Sequence, residues 1–342
     1  MSQTTRSADT AAADALRRPS RTAPRLARLR DFTLVPVIIV LCVVGAFIDP
    51  VFLSSANLVN VLQQQTELSL LVLAESVILI SGKFDLSLES TVGLAPAIAM
   101  TLIIPKAANG LGTMWPAWTA VPACLLVGAV IGAFNGLMIT KFRLSAFIVT
   151  LGMLIVLRGL QTGLTGGNSL SAVPSSYLFL GSKVWLGLPV SVWICALAFV
   201  IGIVLLGYFR HGRSVYAIGG NTDAARSAGI RTDRVIWLVL IIGSMLAAFA
   251  GLLMTGRLGA DEASQGQNLI FTVFAACVIG GISLDGGKGT LFGALCGVIA
   301  LGLINNILTL AGVSANWINA IYGVIILAAL VLSRITSGKA QD

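Results

Sequence analysis

The chain has 342 residues, of which 56% are hydrophobic and only 11% are charged, and its mean hydropathy is +0.93. Soluble domains carry about 25% charged residues, so this composition excludes an ordinary soluble enzyme and indicates an all-α, polytopic membrane protein. The five cysteines lack the spacing of a disulfide framework or a zinc site. The single histidine, His211, excludes a histidine-based metal cluster, so we predict no metal site.

Residues 1–31 form a polar N-terminal segment that contains seven arginines. The segment is too long and too rich in Ala and Arg to be a signal peptide. We predict a disordered, basic cytoplasmic tail, which is a candidate for contact with anionic membrane lipid. Residues 32–334 are predicted to form a transmembrane domain with a cytoplasmic loop at 209–235, and residues 335–342 a second short cytoplasmic tail.

About 20 apolar residues are needed to cross a bilayer as a helix. This rule predicts ten transmembrane helices, at 32–49, 59–80, 86–104, 117–140, 145–161, 187–208, 233–255, 268–284, 290–311 and 316–333. Eighteen of the 22 lysines and arginines then lie in the tails and loops of one side, three lie on the other side, and Arg158 lies near the end of a span. This asymmetry predicts that both termini are cytoplasmic. It also attributes the net charge of +8 to topology rather than to nucleic-acid binding.

The second predicted span carries polar residues in an otherwise apolar segment, namely Gln63, Gln64, Glu67 and Glu75. A charged group at the bilayer centre costs roughly 2.5 kcal/mol or more, so such residues usually face a protein interior or a water-filled path. One interpretation is that these side chains line a translocation pathway and hydrogen-bond a polar solute. The alternative is that the outer half of the helix lies in the wet interface.

Small residues recur at intervals of four in three other spans, as in Gly128, Gly132 and Gly136, in Gly243, Ala247 and Gly251, and in Gly293 and Gly297. This spacing lets helix backbones approach closely. We predict packing within one subunit, with a dimerisation face as the alternative. In the ninth span, Asn305 and Asn306 are predicted to hydrogen-bond between helices. The alternative places Asn305 in the pathway lining.

The longest polar segment within the apolar part of the chain runs from Arg210 to Arg234 and contains five arginines. Its centre has the signals of a short helix. Asn221 or Thr222 can cap its first N–H groups, Asp223 lies in the first turn where the helix dipole favours a negative charge, and Gly229 suits a left-handed C-terminal turn. Such a helix in a cytoplasmic loop is a candidate contact for another protein, and the alternative is a helix without a partner.

Two glycine-rich turns lie at the predicted cytoplasmic ends of spans. The first covers residues 81–87 and contains Gly82, Asp85 and Ser87, of which the last two can cap the third span. The second covers residues 280–289 and contains Gly280, Gly281, Gly286 and Gly287. Glycines permit a tight backbone turn and a close approach of helices.

These motifs resemble those of one family of transport proteins. Asp223-Ala224-Ala225, followed by Gly229, is similar to the Glu-Ala-Ala-x-x-x-Gly signature of ABC importer permeases, with Asp in place of Glu. The wider run 212–230 and both turns are similar to motifs of the sugar-type permeases, the family of ribose, xylose, galactoside and autoinducer-2 importers. The resemblance covers nearly all of residues 32–333. It departs at Lys83, Phe84 and Ala146, the last of which stands where the family usually has Pro.

The resemblance implies a permease subunit of a bacterial ABC importer, a multi-pass inner-membrane protein that moves a monosaccharide or related small polyol and is not an enzyme. It implies three partners: an ABC ATPase subunit, a periplasmic or lipid-anchored solute-binding protein, and a second permease, identical or paralogous. It assigns coupling to the ATPase to Gly220, Asn221, Asp223, Ala224, Ala225, Arg226 and Gly229.

The main alternative function differs from an ABC importer in its source of energy. The chain has no Gly-x-x-x-x-Gly-Lys-[Ser/Thr] phosphate loop, so we predict that it binds no cofactor itself and that the partner subunit binds ATP. The alternative is an ion-coupled secondary carrier for a small polar solute, which would use Glu67 and Glu75.

Overall fold

The computed structural model describes residues 34–337. The predicted tail at 1–31 lies outside the described residues, as do residues 338–342 of the predicted C-terminal tail. Residues 335–337 belong to the last helix, Ala315–Ser337.

The described chain is built almost entirely of helices. In chain order these are α1 Leu34–Ile48, α2 Ser55–Ile80, α3 Leu88–Ile103, α4 Ala120–Thr140, α5 Ala146–Thr165, α6 Ser175–Ser182, α7 Val190–Tyr208, α8 Arg210–Gly220, α9 Thr222–Ser227, α10 Thr232–Leu258, α11 Leu269–Ile279, α12 Leu291–Leu310 and α13 Ala315–Ser337. Short 3-10 helices occur at Pro50–Leu53, Lys106–Ala108 and Ala117–Thr119. Every predicted span overlaps one of these helices, and α6, α8 and α9 lie between spans.

A small hairpin departs from the expected all-α fold. Strand β1, Val184–Trp185, pairs antiparallel with β2, Leu188–Pro189, so that Val184 lies opposite Pro189. Helix α6 and β1 lie in the predicted outer segment at 162–186, and β2 lies at the start of the predicted sixth span, 187–208. The sixth span therefore begins later than predicted, because α7 starts at Val190.

Five helices of residues 34–337 are long and apolar enough to cross a membrane: Ala117–Thr140, which includes α4, together with α5, α7, α10 and α12. Helices α1, α3 and α11 are shorter apolar helices. Of these, α11 has only 11 residues because the chain turns at Gly280 and Gly281, well inside the predicted span 268–284. A polytopic helical membrane protein is therefore confirmed.

Helix α10 has the most extensive packing contacts among the described helices, and it packs against α2, α3, α4 and α6. Small residues permit these contacts. A Cβ atom on Gly128 of α4 would lie 2.6 Å from the Ser244 carbonyl oxygen, and one on Gly132 would lie 2.5 Å from that of Leu240. A Cβ atom on Gly251 would overlap the backbone of α3. The predicted packing of these small faces within one subunit is confirmed.

Candidate functional site

The polar segment between α7 and α10 folds as two helices, α8 and α9, where one was predicted. Helix α8 buries Gly212, Val215 and Ile218 and exposes Arg210 and Arg213. The spacing of three residues between these buried positions is helical. The sequence therefore contained the signal for α8, but the density of arginines obscured it.

Helix α9 has the predicted caps. The Asn221 side-chain oxygen accepts a hydrogen bond from the Ala224 N–H at 2.9 Å, so Asn221 is the N-cap rather than Thr222. At the other end Gly229 has a φ of +82°, the left-handed conformation that favours glycine. The Ile230 N–H then donates to the Ala225 carbonyl at 3.1 Å. The short capped helix predicted from the sequence is present.

One residue assigned to the contact surface of α9 lies underneath it. Ala225 is only 4% exposed and belongs to the main hydrophobic core. Asp223, Ala224 and Arg226 are exposed, and the Asp223 side chain is 95% accessible. Ala225 therefore lies on the inner face of α9, and its role in coupling to the ATPase stays a prediction. A six-residue helix that lies on a protein must turn one position inward, and Ala225 occupies that position.

A network of charged residues ties α9 to its surroundings. Arg143, in the loop after α4, forms two hydrogen bonds of 3.1 and 3.0 Å with the Asp233 carboxylate at the start of α10. Arg226 lies 3.7 Å from Asp233 and 4.0 Å from Asp223. All four side chains are at least 45% exposed. Exposed pairs of this kind contribute about 1 kcal/mol or less, so this link is weak and adaptable.

The two glycine-rich turns meet the end of α8. The Gly287 N–H donates to the carbonyl of Ile80, the last residue of α2, at 2.9 Å. A Cβ atom on Gly286 would lie 2.7 Å from the Cα of Gly82, and one on Gly287 would lie 2.6 Å from the nitrogen of Gly220. The three motifs that the sequence presents separately are therefore one contiguous structure.

The other two turn glycines have different roles. A Cβ atom on Gly280 would lie 2.5 Å from the Cα of Ala294, so Gly280 allows α11 and α12 to touch. Gly281 has open space around its Cα but a φ of +81°, so it serves the turn.

Asp85 and Ser87 form part of a buried polar group at the start of α3. The Asp85 carboxylate accepts hydrogen bonds from the backbone N–H and the hydroxyl of Ser87, the former at 2.9 Å. Burial raises the pKa of Asp85 to about 6, and the bonds from Ser87 oppose this rise. Ser87 is the N-cap of α3, but its side chain makes no capping bond. The predicted side-chain cap of α3 is therefore absent, because Asp85 bonds the N-cap residue itself rather than an N–H group of the first helical turn.

Two polar residues in the first half of α2, Gln63 and Glu67, face other helices. Glu67 is 3% exposed, and its carboxylate accepts a 2.8 Å hydrogen bond from the Arg257 Nε at the end of α10. The Gln63 amide donates to the Gly181 carbonyl of α6 at 3.0 Å. A wet-interface position is therefore wrong for Glu67. Gln64 differs, because it is exposed and donates to the Asn60 side chain. The sequence indicated no partner for Glu67, since Arg257 is 190 residues away.

Glu75 and Asn305 lie in contrasting environments. Glu75 is fully buried, and its carboxylate accepts from the Asp85 N–H at 3.4 Å. Asn305 is half-buried, and its backbone carbonyl accepts a 2.8 Å hydrogen bond from the Thr309 hydroxyl. Its neighbour Asn306 pairs reciprocally with Asn57 of α2 at 2.9 and 3.0 Å. The predicted bond between helices is confirmed for Asn306, and a pathway role for Asn305 stays a prediction.

A second buried ion pair was not predicted from the sequence. Arg158 of α5 lies 3.5 Å from Glu89 of α3, and it also donates to the Gln265 carbonyl at 2.8 Å. The Glu89 side chain is 7% exposed. The sequence carries no signal for this pair, because the two residues belong to different spans with no fixed spacing.

Comparison with known proteins assigns the chain to a family of transport proteins. A family model described as the branched-chain amino acid transport system permease component matches residues 57–330. The chain belongs to this family of ABC transporter permease components, which are not enzymes. It is a multi-pass protein of the inner membrane.

Individual relatives cover most of the chain. The ribose import permease protein RbsC of Escherichia coli strain K12 is 33% identical over 304 residues, which cover 88% of this chain and 92% of the relative. The galactose/methyl galactoside import permease protein MglC of the same strain is 32% identical over 90% of this chain and 95% of the relative. The autoinducer 2 import system permease protein LsrC of Enterobacter sp. strain 638 is 35% identical over 90% of this chain and 87% of the relative. No solved structure matches the chain.

Proposed function

We propose that this chain is the permease subunit of an ABC importer that moves a monosaccharide or a related small polyol into the cell. The observation that carries the proposal is α9, a helix capped at both ends with Asp223, Ala224 and Arg226 exposed and Ala225 anchoring it from below. The named functions of the relatives, which import ribose, galactosides and autoinducer 2, support the choice of a sugar-like solute.

The proposed topology has ten spans with both termini in the cytoplasm. The helix found at every predicted span supports it, as does the clustering of arginines in and around α8 and α9. In this arrangement α8 and α9, the charge network and both glycine-rich turns lie on the cytoplasmic side. An ATPase subunit in the cytoplasm can therefore reach α9 directly, while a solute-binding protein docks on the outer side near α6 and the hairpin.

The mechanism follows from how α9 is held. The ATPase contacts the exposed face of α9, and its ATP-driven closure moves α8 and α9 relative to the membrane. Because α9 touches the start of α10 through Asp233 and α8 touches the end of α2, this movement reaches helices that cross the fold. A second permease, identical or paralogous, completes the translocation path between two such bundles.

The alternative, an ion-coupled carrier, depends on Glu67 and Glu75. The Glu67 carboxylate is already bound to Arg257, so a coupling ion would have to compete with the guanidinium for it. Glu75 alone would have to bind the coupling ion. The ion-coupled alternative would also leave the exposed, capped α9 without a role, so we favour the importer.

An Ala224→Asp variant tests the contact between α9 and the ATPase. The added charge lies on the exposed face, so the bundle should fold normally while the co-expressed ATPase subunit no longer co-purifies and uptake stops. The matched control is Ala107→Asp, another exposed alanine, on the opposite side of the proposed topology. It should leave ATPase binding unchanged. Full ATPase binding by the Ala224→Asp variant would contradict the proposed contact.

A further inference from the structure

Three backbone segments meet where α8 ends, and we call this contact the glycine junction. It consists of the turn after α2 at Gly82, the end of α8 at Gly219 and Gly220, and the turn before α12 at Gly286 and Gly287. A Cβ atom on Gly219 would lie 2.5 Å from the nitrogen of Gly287 and would overlap the Ile80 carbonyl oxygen. A side chain at Gly219, Gly286 or Gly287 would therefore not fit between these segments, whereas a Cβ atom on Gly220 would meet nothing within 4 Å.

Hydrogen bonds fix the same three segments to one another. The Gly287 N–H bonds the Ile80 carbonyl at 2.9 Å, which joins the second turn to the end of α2. The Tyr216 hydroxyl, on α8, donates to the Gly289 carbonyl at 2.8 Å. Helix α8 is thus attached to the 280–289 turn by Tyr216 and pressed against α2 by Gly219.

The mechanical properties of this contact differ from those of the charge network on α9. Exposed arginine side chains can rotate and keep a partner while the backbones move apart. Backbone atoms in direct contact have no such freedom, because close-packed protein transmits strain instead of absorbing it. A displacement of α8 therefore has to move the end of α2 and the 280–289 turn with it.

We propose that Gly219 and Tyr216 are positioning residues that transmit the movement of α8 and α9 to α2 and to the α11–α12 turn. This inference rests on the proposed function, because it needs an ATPase that moves α9. The inference adds one claim to the proposed function, which is that the glycine junction acts after the ATPase has docked. Variants at the junction should therefore separate ATP hydrolysis from transport without releasing the ATPase.

The test uses Gly219→Ala in the complete importer reconstituted in proteoliposomes, with uptake and ATP hydrolysis measured together. The ATPase should still bind and hydrolyse ATP, but solute moved per ATP should fall at least about tenfold, within the usual range of coupling between sites. The control is Gly207→Ala in α7, where a Cβ atom meets nothing within 4 Å. It should keep the wild-type ratio.

Tyr216→Phe provides a second test that does not depend on how Gly219→Ala folds. It keeps the ring and removes only the hydroxyl bonded to Gly289, so the ratio should fall by a smaller factor. Wild-type ratios in both variants would overturn the inference, as would loss of ATPase binding, since that would indicate a docking role. If the wild-type chain itself neither binds the ATPase nor needs ATP, the proposed function fails first, and this inference fails with it.

Discussion

Helices α2 and α10 lie side by side, but their two ends are held in different ways. On the outer side of the proposed topology, the Glu67–Arg257 pair joins the middle of α2 to the end of α10, with side chains that are 4% and 22% exposed. At the cytoplasmic end, α10 is held through the exposed pairs of Asp233, and α2 is held by backbone contact at the glycine junction.

The difference indicates which end is fixed and which end is moved. A buried ion pair is costly to break, because either partner alone leaves an uncompensated charge in the protein interior. Exposed pairs exchange partners easily and contribute little. The outer end of α10 and the middle of α2 are therefore built to stay together, while the cytoplasmic ends of both helices can follow a partner protein. The predictions below test this contrast, from the largest expected effect to the smallest.

The largest effect should come from Arg257→Met, which leaves the Glu67 carboxylate buried and unpaired. We expect a loss of about 3 kcal/mol of stability, measured as thermal unfolding in detergent. The matched variant at the other end, Arg143→Met, breaks the exposed pair with Asp233 and should cost at most about 1 kcal/mol. Adding Glu67→Gln to Arg257→Met should recover most of the lost stability, because it removes the unpaired charge. Equal effects of the two single variants would refute the contrast.

The second effect concerns the outer loop that follows α10. Asp261 is 1% exposed, and its backbone forms two 2.9 Å hydrogen bonds with Leu170. Neither of its carboxylate oxygens has a hydrogen-bond partner within residues 34–337. Burial raises the pKa of Asp261 from 3.8 to about 8, and the neighbouring charge of Glu262 adds to the rise.

The sign of the resulting pH dependence follows from this shift. The folded protein keeps a proton on Asp261 that the unfolded chain releases near pH 4, so stability should decline as pH rises from about 4 to 8. The Asp261→Asn variant should lose this decline, so its stability relative to wild type should grow steadily as pH rises from 5 to 8. Glu262→Gln, at the exposed neighbour, should leave most of the slope in place. An unchanged slope in Asp261→Asn would rule out this origin.

The smallest effect should come from the cap of α9. Asn221→Ala removes the bond to the Ala224 N–H and should destabilise this helix by about 1 kcal/mol. Hydrogen exchange at residues 222–230 should accelerate, and uptake should fall modestly. Asn221→Asp keeps an oxygen at the cap position and should behave like wild type. Identical exchange in Asn221→Ala and wild type would show that packing beneath α9, rather than its cap, keeps it folded.

The parts of the structure that the sequence predicted depend on short-range interactions. The cap of Asn221 and the turn at Gly229 involve residues within a few positions, so composition and spacing are enough to find them. The positions of the long helices follow from apolar stretches in the same way. The small-residue faces on α4 and α10 were also predictable, because their spacing of four marks a single helix face.

The parts that escaped prediction depend on residues far apart in the chain. Arg257 and Glu67 are separated by 190 residues, and nothing in their local sequence pairs them. The meeting of Gly82, Gly219 and Gly286 is equally invisible, although each motif was identified by itself. The burial of Ala225 was missed for another reason: a six-residue helix is too short to show which face is apolar.

The most direct test of the central claim is solute uptake by proteoliposomes that contain the purified chain with or without its ATPase subunit. If the ATPase drives transport through α9, uptake should require the ATPase, ATP and the solute-binding protein, and an uncoupler should have no effect. Accumulation of solute by the chain alone, driven by an ion gradient and abolished by the uncoupler, would contradict the account.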